Sequence, residues 1–205
     1  MLSSAHARVV AQRIAEDVAA WDQAGCLSPH LVYVESGGIL SAELFSEMIA
    51  EELAALEIAR PRGPLAVEES AAIASRRGVY ELRAAASAET KMWASKGSSA
   101  WTVVFEADAR FQLSCLNRFL YVKSVRNLEE ALQSADSLRG QVSSVGLAAT
   151  AKDAAHLAKA LARWGVTRVC QLGSMQRPSV LWRHDGRPAL GSLVRWADYE
   201  SSPAE

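Results

Sequence analysis

Several features that would direct a chain to a particular surface are scarce in these 205 residues. No apolar run approaches the ~18 residues that a membrane span needs. Near the start, Arg8 and Arg13 interrupt the apolar residues and Glu16 and Asp17 follow closely, so the segment does not read as a signal peptide. Charge of one sign is also missing. Lys and Arg number 22 against 23 Asp and Glu, for a net charge of -1, so no basic surplus draws in nucleic acid or anionic lipid. Cysteine is sparse as well. Cys26, Cys115 and Cys170 are odd in number and widely spaced, which argues against a disulfide framework and leads us to expect a reducing, cytoplasmic setting. None has a CxxC or CxxH partner, so no metal site is expected. No GxGxxG, nor any other glycine pattern of a dinucleotide site, occurs in the sequence.

What is present fits a folded domain. Half the residues are apolar and 22% are charged, enough for one sizeable core. Residues 4–23 have helical period, with Val10, Ile14, Val18 and Trp21 on one face and Arg13, Glu16 and Asp17 elsewhere. Gly25 and Pro29 stop that helix, and Leu31-Val32-Tyr33-Val34 reads as a buried strand. Ser41 is placed to cap a helix with Leu44, Phe45, Met48 and Ile49 inward and a solvated glutamate face from Glu43 to Glu57. After a loop at 60–64, further helices are expected over 67–83, 127–138 and 152–164, the second opening on an Asn-x-x-Glu cap pattern. Strands are expected over 101–105, 119–122, 141–147 and 166–170. This alternation predicts an α/β fold with a largely parallel sheet flanked by helices.

Cys26 is the first candidate for chemistry. A thiol in the tight connection from helix to strand can present its sulfur to a cleft, Gly25 lets backbone approach closely, and the Cys26 amide can point at a developing oxyanion. The thiolate is the competent form. Spacing alone leaves this reading beside a bland one, a small buried apolar residue. His30, four positions on, reads as a surface or packing residue rather than a base. Gln23 is open between orienting a bound carbonyl and capping the helix end. His184-Asp185-Gly186 reads as a polar turn joining two strands. Trp93, Trp101, Trp164, Trp182 and Trp196 read as core and edge packing.

The string Asp22-Gln23-Ala24-Gly25-Cys26-Leu27-Ser28-Pro29, ahead of a strand ending in Glu35, resembles the active-site segment of the LuxC-type long-chain fatty acyl-CoA reductases, within the aldehyde dehydrogenase superfamily. Near the other end, Arg168-Val169-Cys170-Gln171-Leu172-Gly173-Ser174-Met175-Gln176-Arg177-Pro178, Trp182-Arg183-His184-Asp185-Gly186-Arg187 and Leu193-Val194-Arg195-Trp196 are similar to the ending of that family. Asn117-Arg118-Phe119 and Gln141-Val142-Ser143-Ser144-Val145-Gly146 are weaker matches in the same order.

The resemblance implies an aldehyde-dehydrogenase-like catalytic domain spanning 1–205. It makes Cys26 the catalytic acyl acceptor; Gln23, three residues before it, is the candidate substrate-positioning residue from its own place in the chain. An acyl thioester on Cys26 would be reduced by NADPH to a fatty aldehyde, as in luminescence pathways. The implied partners are an acyl-CoA or acyl-protein substrate, an acyl-protein synthetase and further copies in a homo-oligomer. In the superfamily the cofactor domain precedes the cysteine. With Cys26 so near the start there is no room for a domain of ~100 residues, so a truncated form is expected, with NADPH bound mainly by an upstream dinucleotide-binding domain absent from this chain. Two other readings remain: an NAD(P)-dependent aldehyde dehydrogenase domain, and a non-catalytic remnant that acts by association through exposed apolar surface.

Overall fold

A computed structural model describes residues 4–188, 190, 191 and 193–200. In chain order its elements are α1 (Ser4–Ala19), β1 (Leu31–Glu35), α2 (Ala42–Ala59), α3 (Val67–Ala86), β2 (Thr90–Ala94), β3 (Thr102–Glu106), β4 (Phe119–Val125), α4 (Leu128–Ser134), β5 (Ser144–Leu147), α5 (Ala151–Trp164) and β6 (Arg168–Gln171). The α/β expectation holds. Four strands form one sheet in the order β1-β4-β3-β2, while β5 and β6 form a separate parallel pair. β1, β4 and β3 run parallel and β2 pairs antiparallel with β3.

Period-two alternation divides the main sheet between two cores. Val103, Leu120 and Val122 face α1 and α2, packing on Ile14, Val18, Ile49 and Leu53. Val104, Phe119 and Tyr121 face the opposite way and meet Ile73 and Tyr80 of α3. The central strands are therefore apolar on both faces, as a covered parallel sheet requires. A third cluster, built on Leu161, Trp164 and Val166, joins α5 to the smaller pair of strands. The caps fall where the residue types place them. Ser41 Oγ accepts from the Leu44 N–H at 3.2 Å and Asn127 Oδ1 from the Glu130 N–H at 3.0 Å.

The structure corrects several expectations. α1 ends at Ala19, and the chain then turns left-handed, so Trp21 is 75% exposed instead of continuing the apolar face. Asp17, expected away from that face, is buried. In α2 the inward positions are Ala42, Phe45, Ser46, Ile49, Ala50 and Leu53, a stripe that leaves Leu44 outside. β2 was not foreseen; Thr90, Lys91, Met92, Trp93 and Ala94 become a strand by pairing with β3. His184–Gly186 is a short 3-10 turn that joins no two strands among the described residues; residues 179–188 are largely exposed and contribute no strand, although the Trp182 ring lies under the Arg168 guanidinium of β6. Trp196, expected in packing, is 89% exposed. Among the described residues, no helix is long and apolar enough to cross a membrane.

Candidate functional site

The connection from α1 to β1 begins with three consecutive non-glycine residues in the left-handed region: Trp21, Asp22 and Gln23, with φ of 55°, 50° and 67°. Each such residue costs roughly 1–2 kcal/mol of backbone energy. Facing them is a second left-handed run before β4, at Leu116, Asn117 and Arg118, with φ of 64°, 57° and 62°. Side chains bind the two runs together. Gln23 is fully buried; its Nε2 donates to the Pro29 carbonyl at 2.7 Å and the Phe119 carbonyl at 3.0 Å, and its Oε1 accepts from the Phe119 N–H at 2.9 Å. Arg118, also buried, pairs with Asp22 at 2.7 Å and Glu57 at 2.7 Å and donates to the Arg60 carbonyl. Asp22 further accepts from the Gly63 N–H at 3.2 Å. Buried polar groups satisfied on both sides offset the strain of the two turns.

Cys26 follows in a turn closed by the Ser28 N–H donating to the Gly25 carbonyl at 2.9 Å. It is the exposed member of the three thiols; Cys115 and Cys170 are half-buried, and burial pushes both of those thiols upward in pKa. Among the described residues the Cys26 N–H donates to no protein acceptor, which leaves it free for an oxyanion. A side chain at Gly25 would be tight: a Cβ there would lie 3.0 Å from Gln176 Oε1, 3.3 Å from Ser28 Oγ and 3.4 Å from Trp21 Cδ1, so these side chains would have to give way.

The loop after β6 forms the far wall of this turn. Asp17 on α1 accepts from the Gly173 N–H at 2.6 Å and the Met175 N–H at 3.0 Å. Burial raises its carboxyl pKa, and those two N–H groups only partly oppose the rise. Arg168 donates to the Ser174 and Met175 carbonyls, both at 2.8 Å. Gln176 Nε2 then donates to Ser28 Oγ at 2.8 Å, across 148 residues of sequence. The two strings that look most distinctive in the sequence therefore meet around Cys26.

Gln23 sits beneath the site with its amide engaged by backbone on both sides, so the geometry favours holding the connection over touching a substrate carbonyl. His30 is half-buried and burial lowers its pKa, and among the described residues no hydrogen bond joins it to Cys26. No group of three or more His, Cys, Asp or Glu side chains among the described residues is arranged to hold a metal. An open cleft of about 760 Å³ between α4 and α5, lined by Leu132, Arg139, His156 and Trp164, shares no residue with the Cys26 turn. Asp17, Arg118 and Gln176 escaped the sequence reading as site residues. Their types carry no signal until the fold brings them to the turn.

Comparison with known proteins bears on the family and the fold. Residues 2–196 match the family described as acyl-CoA reductase (LuxC). No curated protein matches the chain. Among solved structures, the bifunctional proline utilization A (PutA) protein is similar in fold, with a TM-score of 0.61 and 20% identity over 84% of this chain. The chain spans 18% of the length of that protein.

Proposed function

The chain belongs to the LuxC acyl-CoA reductase family, and from that premise we propose that it is the portion of such an enzyme that takes an acyl group from coenzyme A onto Cys26. The observation that carries the reading is the exposure of Cys26 at the head of a tightly held turn, against two half-buried thiols elsewhere. In the proposed step the Cys26 thiolate attacks the acyl carbonyl carbon. The carbonyl oxygen gains charge beside the free Cys26 N–H. The carbon–sulfur bond to coenzyme A then breaks, and its thiolate takes up the proton that Cys26 gave up. The products are an acyl-Cys26 thioester and free coenzyme A, with no change of oxidation state.

Reduction of that thioester to a fatty aldehyde is the rest of the family's reaction and needs a hydride from NADPH. The described residues do not fit a dinucleotide site. Of the three direct strand-to-helix connections among the described residues, the one after β1 carries Gly37 and Gly38 without a third glycine and is flanked by Glu35 and Glu43 where phosphates would need positive charge, and those after β4 and β5 carry no glycine. We therefore assign the acyl-transfer half-reaction to these residues and derive no hydride step. A role by association has its own support: Val180, Leu181, Leu193 and Trp196 are all more than 75% exposed, an unusual display of large apolar side chains on one segment.

The test is stoichiometric. Incubated with a long-chain acyl-CoA, the reduced chain should release up to one equivalent of free CoA thiol and keep a hydroxylamine-labile acyl group. Cys26→Ser should abolish both. Release that persists in Cys26→Ser would overturn the assignment.

A further inference from the structure

Among the described residues, one side chain of the loop after β6 hydrogen-bonds to the Cys26 turn. Gln176 donates from Nε2 to the buried Ser28 Oγ at 2.8 Å, and its Oε1 lies 3.0 Å from where a Cβ on Gly25 would stand. Gln176 is thus bonded to the second residue after Cys26 and borders the residue before it. It has its own support. The Gly173–Met175 backbone is tied to α1 by the Asp17 carboxylate and to β6 by the Arg168 guanidinium, while Arg177 donates to the Gly173 carbonyl at 2.6 Å. Gly173, with φ of +81°, lies so close to α1 that an added Cβ would be 3.1 Å from Arg13 Cγ. The loop is therefore fixed to the same helix from which the Cys26 turn departs. The structure contains a closed mechanical path from Asp17 through Gly173–Met175 to Gln176, Ser28 and the turn.

We propose that Gln176 is a positioning residue for the Cys26 thiol, set in place by Asp17. This rests on Cys26 being the acyl acceptor, and it adds a second element of the chain to that site. A turn closed by one backbone bond can rock about its ends; a side chain bonded to Ser28 and standing against Gly25 restrains that motion. For a nucleophile that must approach a carbonyl along one direction, displacement by about 1 Å can cost two orders of magnitude in rate. Alkylation by a small reagent demands much less alignment, so the two reactions separate positioning from exposure. The charged groups around the loop are Asp17, Glu16, Arg13, Arg168 and Arg177. None of these changes in a Gln176 variant.

The experiment compares wild type, Gln176→Leu, Gln176→Glu and Asp17→Asn in the full 205-residue chain, after circular dichroism has established folding. Two rates at Cys26 are followed by peptide mass spectrometry: acylation by a long-chain acyl-CoA, and alkylation by iodoacetamide across a pH series. Gln176→Leu should slow acylation by roughly tenfold or more while alkylation stays within about twofold. Gln176→Glu lets the Ser28 hydroxyl donate to the new carboxylate, so it should recover most of the acylation rate lost in Gln176→Leu. It should also move the alkylation profile upward by roughly half a pH unit, because a like charge beside the turn opposes the thiolate. Unchanged acylation in Gln176→Leu, or equal slowing of both reactions, would overturn the proposal. If the wild type takes no acyl group on Cys26, the acceptor reading has failed instead. The alkylation profile then decides alone: an upward shift in Gln176→Glu supports contact with the thiol's surroundings, and no shift overturns it. Should Asp17→Asn not fold, the Gln176 pair carries the test.

Discussion

Arg118 Nη2 lies 2.7 Å from Asp22 Oδ1, joining two left-handed turns that stand 96 residues apart in sequence. The same guanidinium reaches Glu57 at 2.7 Å, so the connection that carries Cys26 is tied at once to β4 and to the end of α2. Arg118 is 3% exposed, while the Asp22 and Glu57 side chains are 31% and 26% exposed, so water takes up part of what they lose without it. Arg118→Met should therefore cost about 1–3 kcal/mol of stability. Arg118→Lys should recover only part of this, since an ammonium cannot reproduce the planar set of donors. Urea denaturation checks both; a loss below about 1 kcal/mol in Arg118→Met would show that the turns hold by other means.

Gln23 offers a test of amide orientation. Its Nε2 faces two carbonyl oxygens, at 2.7 Å and 3.0 Å. Gln23→Glu keeps the shape but sets a carboxylate oxygen against those carbonyls, so it should destabilise by several times the ~1 kcal/mol of an ordinary hydrogen bond. Gln23→Leu should also destabilise: it takes the donor from the Pro29 carbonyl and one partner each from the Phe119 N–H and carbonyl, which keep the Leu116 carbonyl and the Ser114 hydroxyl. Thermal unfolding of the two variants reads the outcome; a neutral Gln23→Glu would contradict the structure.

The thiols should separate without any substrate. Cys26 is exposed, whereas Cys115 and Cys170 are half-buried and burial makes both harder to ionise. Under native conditions at pH 7.5 or so, iodoacetamide should modify Cys26 at least about tenfold faster than either of the others. Mass spectrometry of a time course measures this directly, and equal rates for all three would argue against the described turn.

Acid stability should depend on Asp108. Burial pushes its carboxyl pKa up, but hydrogen bonds from Lys123 Nζ and the Arg110 N–H, with the charges of those residues, more than reverse this, and the net shift is downward. A carboxyl whose folded pKa is depressed adds stability above its unfolded value, and that stability is lost as pH falls through the folded pKa. Asp108→Asn should flatten the loss of stability below about pH 4. Denaturation midpoints from pH 7 to pH 3 test this; an identical acid limb in the variant would remove Asp108 from the account.

Local patterns reveal part of this molecule and miss the rest for definable reasons. Ser41 and Asn127 announce their helices because a cap is a local bond between neighbours in sequence. The strands that form β3 and β4 show as apolar runs because both their faces are covered. Cys26 stands out through its glycine and its place between helix and strand. Asp17 does not, since an acid on an amphipathic helix reads as solvated until the Gly173–Met175 backbone is brought against it. Trp21 continues the helical period on paper, and only the left-handed turn, secured by distant Phe119 and Arg118, throws it outward. The edge strand β2 exists through its pairing with β3 and has no strong pattern of its own.

The most direct test of the account locates the acyl group itself. The reduced chain is incubated with a long-chain acyl-CoA, digested at mildly acidic pH to preserve thioesters, and mapped by tandem mass spectrometry. The account predicts the acyl group on the peptide carrying Cys26, retained in Cys115→Ser and Cys170→Ser and lost in Cys26→Ser. An acyl group on Cys115 or Cys170, or none on a folded and reduced chain, would contradict it.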